Sequence, residues 1–345
     1  MTGAPQGVNR IWLIRRAEPP IFLVYSRAMA KHFLHLGFLL AVGALALKAA
    51  FMPPRMQASL KPGESAEIDG GVLVLKGFDV PKYRDGKPRQ YISDVHVISG
   101  MGDVASGGRP EVRHAKISVN HPLRWNGWWL YQSSYDAAHE SYTVIEAVRD
   151  PFLPMAALAG IFLLCGAALM CRGCFASGCG AAAESGARRS VAGMIVGTAR
   201  FVVAAAVVML PLFIAGRVLL VKELVPALQS PLLVPHVGAY IISYAILIFA
   251  AFGIGRRFVP FGFFLMTLAL VLGALWGKIC WGDWWQYDPK EMWSLATWLT
   301  FAAWFHFRRN ETASKWLLRF GAVMIILTLT WVNFSKLFKG LHSYV

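Results

Sequence analysis

Apolar residues gather into seven runs, at about 33–51, 151–171, 191–216, 234–254, 258–277, 290–307 and 316–335. Each is close to the roughly 18 to 20 residues that cross a bilayer core as a helix. Between the first two runs the period changes. Short β-prone stretches, Gly71–Lys76, Ile117–Val119, Trp128–Tyr131 and Tyr142–Ile145, alternate with Gly, Pro, Asn and Asp, as strands separated by tight turns do. The pattern predicts an all-α polytopic membrane protein of about seven transmembrane helices with one small β-rich extracytoplasmic domain. The expected division is an N-terminal cytoplasmic segment (1–32), a first anchor (33–51), the β domain (52–150) and a second helix (151–171). A Gly-, Ala- and Ser-rich cytoplasmic linker (172–190) then leads to a membrane domain (191–345) with a Trp-rich loop at 276–293. Residues 33–47 also have the look of a signal-peptide core, with Ala44-Leu45-Ala46 as a cleavage site. The preceding stretch of about thirty residues is too long for an ordinary signal n-region, so an anchor is expected.

Composition agrees with this reading, since 56% of residues are apolar and only 15% charged. The basic residues of the short loops set the orientation. Arg10, Arg15, Arg16, Arg27 and Lys31 precede the first run, Arg188 and Arg189 follow the second, Arg256 and Arg257 the fourth, and Arg308, Arg309, Lys315 and Arg319 the sixth. All fall on one face, which is then the cytoplasmic one. Residues 52–150 and the C-terminus are expected outside. The outer segment balances 12 basic against 12 acidic residues, so the net charge of +15 resides in the rest of the chain. It reads as topology and contact with anionic lipid rather than nucleic-acid binding.

Seven of the thirteen tryptophans lie between Trp276 and Trp304, densest in Trp281-Gly-Asp-Trp284-Trp285-Gln-Tyr287-Asp288-Pro-Lys-Glu291-Met-Trp293. An aromatic belt at a membrane interface accounts for two or three such residues. An ordered string of large flat side chains suggests a platform for a large flat ligand. Asp288-Pro289-Lys290-Glu291 also spells an N-cap, a proline at N1 and an acidic residue at N3, which would start the sixth helix.

Nine histidines carry the second signal. His306 lies 17 residues after Pro289, about 26 Å along a helix, near the cytoplasmic edge of the core. His35 opens the first run at a similar depth, with His32 one turn away on the same face as the alternative. His236 opens the fourth run and His342 follows the seventh, which places both at the outer face beside the Trp loop. Two histidines at each depth suit bis-imidazole ligation of haem. Five cysteines remain, and Cys171, Cys174 and Cys179 in or beside the linker lack the fourth ligand of a usual zinc or iron–sulfur site. The outer segment has no cysteine, so it holds no disulfide.

The string Trp281-Gly-x-Trp284-Trp285-x-Tyr287-Asp-Pro-Lys-Glu-x-Trp293, with Pro235-His236-Val237 upstream and Gly340-Leu-His342-Ser-Tyr344 at the end, resembles the tryptophan-rich haem-handling family, of the CcsA/ResC type of cytochrome c biogenesis System II. His35-Leu-Gly37, Val119-Asn-His-Pro-Leu123, Gly127 and Tyr131-Gln-Ser-Ser-Tyr135 are similar to the C-terminal part of its ResB/CcsB partner. From about residue 31 to the end, the chain resembles a fusion of the two, the CcsBA type. Tyr287 and Trp284 depart from the family's usual Trp and Tyr, and both keep an aromatic surface.

This resemblance implies a holocytochrome c synthase of the haem lyase type, combined with haem transport. An inner pair, matched by His306 and His35, would receive haem b from the cytoplasmic side. An outer pair, matched by His236 and His342, would hold it under Trp281, Trp284, Trp285, Tyr287, Asp288 and Trp293. There the haem vinyls would join the thiols of a CXXCH motif in an apocytochrome c, with thiol-reducing membrane or periplasmic proteins as further partners. No acid or base is assigned. The alternatives are a haem exporter without ligase activity, a b-type electron-transfer subunit and a purely structural assembly protein. The second usually takes two ligands about thirteen residues apart on one helix, a spacing no run here shows.

Overall fold

A computed structural model of the protein describes residues 21–99, 111–171, 191–219 and 224–334. Among them are seven long helices: α1 (Ile21–Phe51), α2 (Leu153–Cys171), α3 (Val191–Leu219), α4 (Leu233–Ala251), α5 (Val259–Trp281), α6 (Pro289–Phe307) and α7 (Glu311–Phe334). All but α6 are long and apolar enough to cross a membrane. Helix α6 has the length, but Lys290, Glu291 and three tryptophans lower its apolar content. Together these helices make a multi-pass membrane protein, and a β-rich domain stands between α1 and α2. His342, Cys174, Cys179 and the arginines at 10, 15, 16, 188 and 189 lie outside the described residues.

The β domain consists of eight strands: β1 (Met56–Leu60), β2 (Ser65–Ile68), β3 (Gly71–Asp79), β4 (Ile92–Ser99), β5 (Glu111–Ser118), β6 (Leu123–Trp125), β7 (Trp128–Tyr135) and β8 (Thr143–Val148). They form two antiparallel sheets, ordered β1-β8-β7-β6 and β2-β3-β4-β5. Two hairpins have two-residue turns, Asp69-Gly70 and Asn126-Gly127, with φ of 48° and 77° and of 49° and 77°. Positive φ at both positions matches the right-handed strand twist, which is why Asp-Gly and Asn-Gly occur there. Alternate residues point inward, so Leu73, Leu75, Val95, Val97, Ile117, Leu130 and Ile145 share one core. A buried polar bridge joins the sheets: Ser93 Oγ donates to Gln132 Oε1 at 2.6 Å, and Gln132 Nε2 to Thr143 Oγ1 at 2.6 Å.

In the membrane part, small residues let helices approach closely. A Cβ on Gly37 of α1 would meet Leu163 N of α2 at 2.8 Å, and one on Gly166 of α2 would meet Leu34 N of α1 at 2.9 Å. Helices α2, α4, α5, α6 and α7 pack around Leu247, Phe263, Met266, Phe301, Leu318 and Ile325. Several polar atoms inside are paired across helices, which spares them the cost of lying bare in hydrocarbon. Trp298 Nε1 donates to Thr267 Oγ1 at 2.9 Å, and Trp304 Nε1 to Ser314 Oγ at 2.8 Å. Helix α5 runs from the Arg256–Arg257 turn to the Trp loop, and α6 returns from the loop to Arg308. Basic turns and aromatic loop therefore occupy opposite ends of the bundle.

Candidate functional site

The Trp loop joins two well-defined helix ends. Gly282, at φ 83°, caps α5 through its N–H to Lys278 O at 3.1 Å. Asp288 caps α6: its Oδ1 accepts from Lys290 N at 2.8 Å, while Glu291 Oε2 accepts from Asp288 N at 3.3 Å and Gln286 N at 2.8 Å. The sequence-expected capping box is therefore present. Between the caps, Trp284 and Trp285 fold inward, each 8% exposed, against Ala44 and Leu45 of α1 and Leu153, Met155 and Ala156 of α2. Tyr287 is 55% exposed, and Trp281 packs on Trp276 at 5.3 Å between ring centroids.

Trp284 and Trp285 line a cavity of about 300 Å³ with His236, Tyr240 and Tyr244 of α4, Gly273 of α5, Lys290, Glu291 and Ser294 of α6, and Thr328 of α7. The His236 ring contacts Trp276 and Tyr240, with centroids 6.0 and 5.2 Å away. Its Nδ1 is 2.8 Å from Ala269 O. A carbonyl only accepts, so Nδ1 carries the hydrogen and Nε2 bears the lone pair of the neutral ring, the arrangement a metal ligand needs. Gly273 makes room for it, since a Cβ there would meet His236 Cε1 at 2.5 Å. The buried Trp284 Nε1 has no hydrogen-bond partner among the described residues.

At the opposite end of the bundle, the His35 ring of α1 and the His306 ring of α6 lie 5.6 Å apart between centroids and 13° from parallel. Both are exposed on the helix surface. Two imidazoles side by side on neighbouring helices are a donor set suited to the axial positions of a haem iron. Phe38 of α1, one turn beyond His35, stacks on Trp298 of α6 at 6.2 Å and 13°, which holds the two helices in register. His32 makes no ring contact with this pair among the described residues.

Of the residues marked by the sequence, the structure thus brings together His236, Trp284 and Trp285 at one end, and His35 and His306 at the other. Trp281 backs the first group through Trp276. Asp288 and Trp293 serve the loop and α6 from behind: Asp288 is buried in the cap, and Trp293 O accepts from Thr297 Oγ1 at 2.8 Å. The four histidines of the β domain, His96, His114, His121 and His139, belong to no metal cluster, since no group of three His, Cys, Asp or Glu suited to a metal occurs among the described residues. Among the described residues Cys165, Cys171 and Cys280 form no disulfide, and Cys171 Sγ donates to Pro260 O at 3.0 Å.

Sequence reasoning missed the polar seam that joins the β domain to this site. Asn120, at φ 67°, donates through Nδ2 to Pro226 O at 2.9 Å, in the segment before α4. Trp276 Nε1 donates to the neighbouring Ala227 O at 3.2 Å. Tyr131 OH donates to Lys278 O at 2.9 Å, and Lys278 Nζ lies 3.2 Å from Asp150 Oδ2, with side chains only 6% and 1% exposed. Burial, with the carboxylates of Asp283 and Asp150 nearby, pushes the Tyr131 phenol up, so it stays a donor. Asp283 of the loop pairs with both Lys48 of α1 and Arg55, which also reaches Glu146 of β8 at 2.9 Å. The charge of Lys278 at the end of an apolar run was the available signal. Its partner Asp150 is 128 positions away and was not readable.

Comparison with known proteins agrees with the division seen here. Residues 55–152 match the ResB-like family, and residues 253–342 match the cytochrome C assembly protein family. The chain is 44% identical over 92 residues to cytochrome c biogenesis protein CcsA of Guillardia theta, covering 26% of this chain and 30% of that protein. It is 31% identical over 152 residues to CcsA of Chlamydomonas reinhardtii, covering 36% and 43%, and 31% identical over 177 residues to CcsA of Prochlorococcus marinus strain MIT 9312, covering 36% and 57%. The chain thus spans less than two thirds of the length of these curated relatives. A ResB-like region and a cytochrome C assembly region thus stand in one polypeptide, the combination that a CcsBA-type cytochrome c biogenesis protein carries.

Proposed function

We propose that the protein carries haem b from the cytoplasmic to the outer side of a bacterial inner membrane and presents it there for thioether attachment to the CXXCH motif of an apocytochrome c. The observation that carries this reading is the near-parallel pair His35 and His306, 5.6 Å apart on two helices. Seven membrane spans, counting α6, put the Trp loop and the β domain on the outer side. The Arg256–Arg257 and Arg308–Arg309 turns then face the cytoplasm. The cavity beside His236 is smaller than a porphyrin. It would enclose part of the macrocycle and leave an edge exposed where thiols arrive. The buried Trp284 N–H supports a ligand here, because such a group is costly without an acceptor. His342 completes the outer pair in this reading.

The protein's contribution is positioning. Two imidazoles and the packed indoles would fix the ring, and a docked thiol pair would add across the vinyls in one orientation. Reductants that keep the CXXCH thiols reduced are the further partners, because the outer domain has no cysteine to do so.

Protein purified from haem-replete cells is expected to carry haem b with a six-coordinate, low-spin visible spectrum. The absence of a Soret band would sink the haem reading. A second expectation concerns the cradle of His236. Gly273→Ala puts a methyl where the ring now lies, so outer-site haem should be lost on purification while the inner pair stays loaded. Full outer occupancy in that variant would mean that the ring does not need this seat.

A further inference from the structure

We propose that Lys278, held by Asp150 and Tyr131 of the β domain, is the positioning residue that sets the Trp loop over the outer haem site. The inference rests on the function proposed above. Lys278 sits in the last turn of α5 and is bonded at both ends. Its carbonyl accepts from Tyr131 OH at 2.9 Å and from Gly282 N at 3.1 Å, while its Nζ lies 3.2 Å from Asp150 Oδ2 and donates to Gly282 O at 2.9 Å. Gly282 is the first loop residue, and Trp284 and Trp285 follow after Asp283. A Cβ on Gly282 would meet Tyr131 Cε2 at 3.0 Å and Val148 Cγ2 at 3.2 Å, so the β domain lies against the point where the loop departs. Asp150 is itself fixed, because its Oδ1 accepts from Phe152 N at 3.1 Å at the junction of β8 and α2.

Ending α5 does not require this arrangement. The left-handed Gly282 and its N–H suffice for that. A buried ammonium and carboxylate are costly to desolvate, and apolar residues of similar size commonly replace such a pair without loss of stability. What the ion pair adds is direction: it ties one loop carbonyl to one carboxylate of another domain. A second latch secures the far side of the loop to α1. Lys48 pairs with Asp283, donates to Trp285 O at 3.4 Å and lies 5.3 Å from the Trp284 ring centroid. The β domain therefore acts on the haem site by holding the loop, whatever else it contacts.

The test uses the full chain with Lys278→Met, Asp150→Asn, Tyr131→Phe and the double variant Lys278→Met with Asp150→Leu. Two quantities are read: maturation of a co-expressed cytochrome c, and the rate at which the buried Cys280 thiol reacts with a maleimide, followed peptide by peptide by mass spectrometry. The single charge variants should label Cys280 about tenfold faster through local opening. They should lower maturation by up to about a hundredfold, the scale of a small misplacement of reacting groups. Tyr131→Phe should do both more weakly. The double variant removes the stranded charge, so its membrane level should return to that of the parent while labelling stays fast and maturation stays low. Recovery of slow labelling and maturation in the double variant would overturn the proposal, as would parent-like values in well-expressed single variants. Where the single variants fail to accumulate, the double variant decides. A parent protein that binds no haem would sink the functional reading instead, and Cys280 labelling would still report the position of the loop.

Discussion

Cytochrome c maturation is expected to fall by more than about a hundredfold when His236 is replaced by alanine, given that losing even an outer-shell partner of a metal ligand costs about 10- to 100-fold. The reason lies in the seat of the ring. Ala269 O takes the Nδ1 hydrogen, Trp276 and Tyr240 confine the plane, and Gly273 leaves the space it fills. A ring held this way presents Nε2 in one direction, and alanine leaves a hole of imidazole size beside the cavity. Added imidazole can enter that hole, so it should restore part of the maturation and the six-coordinate spectrum. His342→Ala should behave alike. Normal maturation in His236→Ala, or a loss that imidazole does not touch in either variant, would remove the outer pair from the mechanism.

The inner pair should give the opposite spatial pattern. His35→Ala or His306→Ala is expected to empty the outer site as well as the inner one, although Pro289 and His306 are about 26 Å apart along α6 by helix rise. Haem that enters between these rings must pass them before it reaches the loop. His32→Ala should leave haem stoichiometry unchanged, because His35 is the residue whose ring faces His306. Trp284→Ala should leave the inner pair loaded and weaken the outer site alone. Haem content of the purified variants, with the outer site scored by its dependence on His236, is the measurement. A His306→Ala protein with a full outer site would show that haem arrives by another route.

Much of the local architecture could be read from residues close in sequence. The start of α6 follows from Asp288-Pro289-Lys290-Glu291, since a cap, a fixed φ and a reciprocal carboxylate act within four positions. The two tight hairpins follow from Asp69-Gly70 and Asn126-Gly127 for the same reason. Apolar runs announced the membrane helices, because hydrocarbon leaves the backbone few alternatives. Helix α6 is the instructive case: Lys290, Glu291 and His306, with three tryptophans, keep it out of the set apolar enough to cross a membrane, although its first turns carry part of the family resemblance.

The places of His35, His236 and His306 along their helices were also legible in the sequence, because helix rise converts position into height. Azimuth was not. Whether His35 or His32 turns toward α6 depends on how α1 packs against α2 through Gly37 and Gly166, and on Phe38 meeting Trp298, none of which a single helix encodes. The same limit hid the seam at the loop. Tyr131, Asp150 and Lys278 are ordinary in their own segments and acquire a role only where β7, β8 and α5 converge. Local bonding and the pattern of apolar runs determined which elements form and where along its helix each residue lies. Only tertiary packing decided which side chains face one another, because contacts between distant segments depend on the shapes of all the helices between them.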